Sequence, residues 1–433
     1  MNRKETHTEP LDRTVQPPFE LPDRLRIPEA RRIDLSNGIR LWTIDAGTQP
    51  LVRLSLVFGA GTRYQPTAFA ASAALNLMSE GTARYTAAEV AERFDFYGIY
   101  YDTSIDRDYA VITVSCLSRF LDRTLDLLGE ILFEPLFPER ELEIYASKRK
   151  QQLLIEREKP AYQARELFSR GLFGADHPYG RVAAAAEYDN LTTDDLRRFY
   201  EAHYRSAGNL FAVASGSIAT ETERALVDFL ARFDASVPAP VDPGIPPVVS
   251  TPLIREKRDG ALQSSIRIGR VLFPKEHPDF NGLQVAATVL GGYFGSRLVK
   301  NLREDKGYTY GIYSAMLNMQ HAGYFAVATD VQAEATDDAV AEIVSEVERL
   351  RREPIPTEEL DMVRNIIVGE MMRILDGPFG IADVTIENTQ CGTTNQALSD
   401  FFDEVRSITP ERIRSLAERW LDPADFTTII VGA

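Results

Sequence analysis

Two side chains near residue 300 have the types and the spacing to hold a carbonyl oxygen. The run Leu290-Gly291-Gly292-Tyr293-Phe294-Gly295-Ser296-Arg297-Leu298 leads into Asn301-Leu302-Arg303-Glu304-Asp305-Lys306-Gly307-Tyr308-Thr309-Tyr310-Gly311. Ser296 reads as the cap of a short helix, Gly307 as its end and Tyr310 as the start of a strand. Arg303 and Tyr310 then flank a tight helix–strand turn and can project to one side. A guanidinium and a phenol are both hydrogen-bond donors near neutral pH. Aimed at a peptide carbonyl, they would hold a substrate backbone and stabilise a developing oxyanion. Taken alone, the same residues also fit a helix-end surface charge and a half-buried strand aromatic. The glycines before them are no phosphate loop, because no Lys follows Gly295-Ser296; a close turn between helices explains them.

Other groups with chemical potential are sparse. The histidines are His7, His177, His203, His277 and His321, too scattered for an imidazole pair on one helix. His177, before Pro178 and Gly180, reads as a turn or packing residue, and His203 has Glu201 nearby but no second imidazole. Cys116 and Cys391 are too few for a disulfide framework or a multi-cysteine metal site, and Cys116 falls in an alternating β-stretch as a small buried hydrophobe. Glu156 and Glu158 read as solvated helix-end charges. With 48 Lys plus Arg against 64 Asp plus Glu, the net charge of −16 opposes binding to a phosphate backbone, so no nucleic-acid partner is expected. No apolar run reaches membrane-spanning length, and the N-terminus lacks a hydrophobic leader region, so a cytoplasmic location with no membrane partner is the expectation.

The elements that must position these residues are of mixed type. Arg32–Ser36 and Ile39–Ile44 flank Asn37-Gly38, a two-residue hairpin signal. Leu51–Phe58 alternates, with Val52, Leu54, Leu56 and Phe58 on one face and Arg53 and Ser55 on the other. Ala68–Met78 is an Ala/Leu helix, Thr86-Ala87-Ala88-Glu89 a capping box, and long helices are expected near 118–132 and 139–158.

The chain also repeats itself. Leu191-Thr192 and Ile408-Thr409 each open an amphipathic helix that runs into a β-rich stretch, at an offset of 217, and Phe133-Glu134-Pro135-Leu136 answers Arg352-Glu353-Pro354-Ile355 at 219. These observations predict an α+β protein with two duplicated domains, each a mostly antiparallel sheet covered by helices. The expected divisions are an extended arm over 1–31, a first domain over 32–234, a Pro-rich linker over 235–252 and a second domain over 253–433.

The order of hairpin, alternating strand, helix ending in Glu80-Gly81-Thr82, His177-Pro178-Tyr179-Gly180-Arg181 loop and Leu-Thr-x-x-Asp-Leu helix resembles the pitrilysin/insulinase family of zinc metallopeptidases. The resemblance covers nearly everything after residue 31. In that family the helix before Gly-Thr carries H-x-x-E-H, whose histidines bind zinc and whose glutamate is the general base; a later glutamate completes the site. The resemblance places Ser72, Leu75 and Asn76 at the motif positions and Gln152 at the later one. Serine and the amides are poor zinc ligands, and Leu75 cannot take a proton, a loss that typically costs about 10²–10⁴ in rate. The second signature, an arginine seven residues before a tyrosine, is matched by Arg303 and Tyr310.

The resemblance therefore implies the non-zinc subunit of a two-subunit peptidase. The chain would hold no metal or cofactor of its own. It would lend Arg303 and Tyr310 to peptide binding and oxyanion stabilisation in an active site whose zinc sits on a homologous partner, as a heterodimer rather than a homodimer. The alternative is an inactive scaffold or peptide-binding homologue of the same family.

Overall fold

The computed structural model describes residues 12–15, 22–25, 27 and 30–433. Most of the arm expected over 1–31 lies outside the described residues. Where it is described, Leu25 packs against the core of the second half and Asp23 O accepts from the Arg406 guanidinium.

The first sheet is built from β1 (Arg31–Asp34), β2 (Arg40–Asp45), β3 (Leu51–Phe58), β4 (Tyr100–Ile105), β5 (Ala110–Leu117) and β6 (Leu210–Gly216), in the order β1-β2-β6-β3-β5-β4. The second comprises β7 (Leu253–Lys257), β8 (Gln263–Leu272), β9 (Thr309–Asn318), β10 (Gly323–Gln332) and β11 (Thr427–Gly432), in the order β7-β11-β8-β10-β9. Setting β1 aside, the two sheets have the same order and the same pairing senses. One parallel pair, β2 with β6 or β7 with β11, is followed by antiparallel pairs.

The helices before the second sheet are α1 (Ala70–Leu77), α2 (Ala87–Tyr97), α3 (Leu121–Phe133), α4 (Glu139–Arg157), α5 (Pro160–Phe173), α6 (Thr193–His203) and α7 (Thr220–Leu230). Those after it are α8 (Phe280–Gly291), α9 (Thr336–Arg352), α10 (Thr357–Ile374), α11 (Pro378–Gln390), α12 (Gln396–Ser407) and α13 (Pro410–Trp420). The caps expected at Thr86, Thr192 and Thr409 form. Thr86 and Glu89 make a reciprocal box, and Thr192 and Thr409 accept from Asp195 N and Arg412 N. The Asn37-Gly38 hairpin closes with one residue more than expected. Leu35 N donates to Ile39 O, leaving Ser36–Gly38 as a three-residue loop, and Asn37 Nδ2 ties it to Leu230 O and Phe233 O.

One face of each sheet carries its own half's helices, with Leu54, Leu56 and Phe58 under α1 and α6, and Ile266, Phe325 and Ile430 under α8 and α9. The opposite faces are exchanged. Helix α5 lays Ala164, Phe168 and Leu172 on Ala326, Ile429 and Val431 of the second sheet, whereas α11 lays Ile381, Ala382 and Ile386 on Ile44, Val57, Phe211 and Val213 of the first. This corrects the alternation read for β3: Ser55 and Val57 are buried too, because a helix from the distant half covers that face. Gly171 permits the close approach of α5, since a Cβ there would stand 2.9 Å from Thr427 Cγ2 and 3.1 Å from Ile429 Cδ1. Residues 239–252 form no helix or strand and are strapped down by Val249 N to Phe173 O (3.3 Å) and Thr251 N to Gly171 O (2.7 Å).

Candidate functional site

The turn after α8 brings Arg303 and Tyr310 together. Ser296 precedes the helical turn, but its hydroxyl caps nothing; the turn winds as a π-helix over Val299–Asp305, and Gly307 ends it at φ +66°. A bulge follows in β9. Thr329 pairs with Ile312 and Val331 with Thr309, so Tyr310 and Gly311 together oppose Asp330. An extra residue re-aims the side chains beside it. Thr309 Oγ1 steadies the bulge, lying 2.6 Å from Asp330 O and accepting from Gly311 N at 3.1 Å.

Tyr310 is left 92% exposed, not half-buried as a strand aromatic would be. The Arg303 guanidinium carbon lies 5.5 Å from the centre of the Tyr310 ring and 4.7 Å from that of Phe294, itself exposed. Flanking rings hold a guanidinium by cation–π attraction while leaving its N–H groups free. Among the described residues neither the Arg303 guanidinium nor the Tyr310 hydroxyl donates a hydrogen bond or joins an ion pair within the chain. The part of Phe294 was missed by sequence reasoning, although the residue stands in the same run as the pair.

On the face of the second sheet that α5 covers, a cleft of about 430 Å³ opens between Tyr313, Leu317 and Tyr324 and the α4–α5 junction at Glu156, Lys159 and Tyr162. Glu156 is paired with Lys159 at 2.8 Å.

The four positions matched to the zinc motif form no ligand set. Leu75 is fully buried in the first core. Ser72 Oγ donates to Phe69 O at 3.1 Å, and Asn76 Nδ2 donates to Ser72 O at 2.7 Å while its Oδ1 accepts from Thr103 Oγ1 at 3.4 Å, so both side chains are engaged within the first half. Gln152 is exposed on α4 and accepts from Arg149. A zinc ion needs imidazole, thiolate or carboxylate donors converging on one point. Among the described residues no three of His, Cys, Asp and Glu do so, and the donors at these four positions do not fit the metal.

Residues 40–169 match the profile described as insulinase (peptidase family M16), and residues 190–367 match the one described as the peptidase M16 inactive domain. The chain belongs to the insulinase family. It is 23% identical to the uncharacterized zinc protease YmxG of Bacillus subtilis, over 93% of this chain and 98% of that one. It is 22% identical to an uncharacterized zinc protease of Streptomyces coelicolor, over 89% and 86%. In structure it is similar to a peptidase M16 inactive domain from Pseudomonas fluorescens, with a TM-score of 0.83 at 21% identity over 93% of this chain and 98% of that one. A protease from Helicobacter pylori gives 0.82 at 17%, over 94% and 100%. These likenesses confirm the two-sheet α+β fold.

In this insulinase-family chain one cluster of buried charge lies at the seam between the halves. Arg63, whose side chain is fully buried, meets Asp108 at 2.8 Å and Asp242 of the connecting segment at 2.6 Å. Gln320 N from the β9–β10 turn donates to Asp108 Oδ2 at 3.1 Å, Tyr179 Oη donates to Asp108 Oδ1 at 2.7 Å, and His321 Nε2 lies 3.2 Å from Asp242. The hydrogen bond from Arg63 holds the Asp242 carboxyl well below the ordinary carboxylate range despite partial burial. His177 and His203 are packing residues. His177 stacks on Phe173 and accepts Tyr179 N–H on Nδ1, and His203 lies against Phe199 with Nδ1 3.0 Å from Gly59 O. Burial lowers the pKa of both. Cys116 is buried, and burial pushes its thiol up.

Proposed function

We propose that this chain is the non-zinc subunit of a heteromeric insulinase-family peptidase. Arg303 and Tyr310 bind the peptide backbone and stabilise the oxyanion in an active site whose zinc is carried by a homologous partner subunit. The observation that carries the reading is the state of the pair: a guanidinium flanked by the rings of Phe294 and of the exposed Tyr310, with the side-chain donors of Arg303 and Tyr310 unspent among the described residues. Such donors await an acceptor from outside, and a peptide carbonyl moving toward a tetrahedral oxyanion is the acceptor they suit. The donor set at Ser72, Leu75, Asn76 and Gln152 supports placing the metal on another polypeptide.

The test is peptidase activity of the purified chain with and without a homologue bearing an intact H-x-x-E-H. Activity is expected only in the mixture, reduced about 10²–10³-fold by Arg303→Ala or Tyr310→Phe, the range for loss of one oxyanion donor. A mixture in which both variants match the wild type overturns the assigned role.

A further inference from the structure

The helix face that carries Ser72 does not close on packed side chains. It borders a cavity of about 400 Å³ between Leu153 of α4, the first turns of α5 and the loop through Arg181. The walls are cationic in a chain whose net charge is −16. Arg63 reaches the cavity but is neutralised by Asp108 and Asp242. Three other guanidiniums are not so matched. Arg107, partly buried, has no carboxylate within ion-pair distance among the described residues; its Nη1 donates to Arg181 O at 3.4 Å. Arg165 stacks over the Tyr162 ring at 4.7 Å with no acidic partner among the described residues. Arg181 has only a loose contact with Glu187, at 3.7 Å.

Of the two acids on the wall, Glu166 is already taken by a two-pronged bond from Arg157, both arms 2.9 Å. Asp176 stands exposed at the rim. The hydroxyl of Thr62, on the same wall, is buried without a hydrogen-bond partner among the described residues. Burial of Arg107 outweighs the nearby negative groups and lowers its pKa, as expected of a cation lacking its counter-charge.

We propose that this pocket is a carboxylate subsite, with Arg107, Arg165 and Arg181 receiving an acidic side chain or the C-terminal carboxylate of a peptide. The proposal rests on the peptide-binding reading above and adds to it a preference for acidic sequence. Guanidinium groups pair with carboxylates through parallel N–H···O bonds, and such charge-assisted bonds are strong where water is partly excluded. An unmatched guanidinium in a recess is the group that gains most from such a ligand.

The test uses the full chain and fluorescein-labelled alanine hexapeptides carrying a central Glu or Gln, each with a free or amidated C-terminus, followed by anisotropy; glutarate alone is followed by thermal shift. The Glu or the free-acid peptide is expected to bind at least tenfold more tightly than its neutral counterpart. That preference should vanish in Arg107→Met and in Arg165→Met, the latter on the exposed side of α5 where folding is not at stake. Which pair discriminates tells a side-chain carboxylate from a terminal one. Peptides that all bind equally overturn the subsite and leave the peptide reading standing. Glutarate stabilisation that is lost in both variants, with no peptide bound, upholds the subsite and sinks the peptide reading. No response to any probe, or the same response in wild type and variants, overturns the subsite.

Discussion

Pro160 and Pro378 hold the same place in the two halves of this chain, each in the first turn of a helix that leaves its own half to lie on the other half's sheet. Each sheet thus depends on a distant segment for one of its two apolar faces. Either half expressed alone should bind a hydrophobic dye and associate, whereas the two halves co-expressed should co-purify as one compact species by gel filtration. Within the full chain, Phe168→Ala should cost about 3–5 kcal/mol in denaturant unfolding, the usual range for a buried aromatic.

The caps at Thr86, Thr192 and Thr409 and the site of the first hairpin are local signals and were legible residue by residue, whereas the Ser296 cap did not form and the hairpin loop gained a residue. Burial of Val57 and Ser55 was not legible, because period-2 alternation describes a sheet covered on one side only, and the cover comes from residues more than 300 positions away. Arg303 and Tyr310 were legible as a pair, but the sandwich with Phe294 depends on the π-helical turn and the β9 bulge, which no single residue announces.

The Arg63 cluster predicts an acid-sensitive seam. Removing one partner of a buried pair leaves the other charge uncompensated, so Arg63→Met should destabilise by about 3–5 kcal/mol. Asp242 has a depressed folded-state pKa, so its contribution is complete above the unfolded value near 4 and is lost as pH falls through the folded value. The wild type should lose stability below about pH 4, and Asp242→Asn should show a shallower loss there. Equal slopes in urea titrations at pH 2.5–4.5 would remove Asp242 from the account.

His177 and His203 act at higher pH with the same sign. Both have folded-state pKa values lowered by burial, so the unfolded chain takes up their protons first. Stability should be complete above about pH 6.5 and decline as pH falls toward their folded values. An NMR titration of the imidazole protons should place both below 6.5; a midpoint above that value for either would reverse the sign.

Exposure separates function from stability at the Arg303 turn. Tyr310 is nearly free in solvent, so Tyr310→Phe should alter unfolding free energy by no more than about 0.5 kcal/mol. Phe294→Ala should be equally mild in stability, yet it removes one of the two rings that hold the guanidinium. It should therefore lower activity of the mixed subunits while Arg303 is still present, and add little in an Arg303→Ala background. Additive losses in that double-mutant cycle would show that Phe294 acts independently of Arg303.

Rebuilding the motif tests why it cannot simply be restored. Ser72 and Asn76 are partly accessible, so Ser72→His with Asn76→His should fold with a modest change in stability. Leu75 is fully enclosed by the first core, and a glutamate there loses the packing of a leucine and buries a carboxyl among apolar groups. Adding Leu75→Glu should cost at least about 3 kcal/mol, measured by urea unfolding, and adding Gln152→Glu should not recover it without metal. Saturating zinc should raise the melting temperature of the four-substitution variant and leave that of the wild type unchanged. A Leu75→Glu variant as stable as the wild type would mean that the core around α1 is looser than its packing indicates.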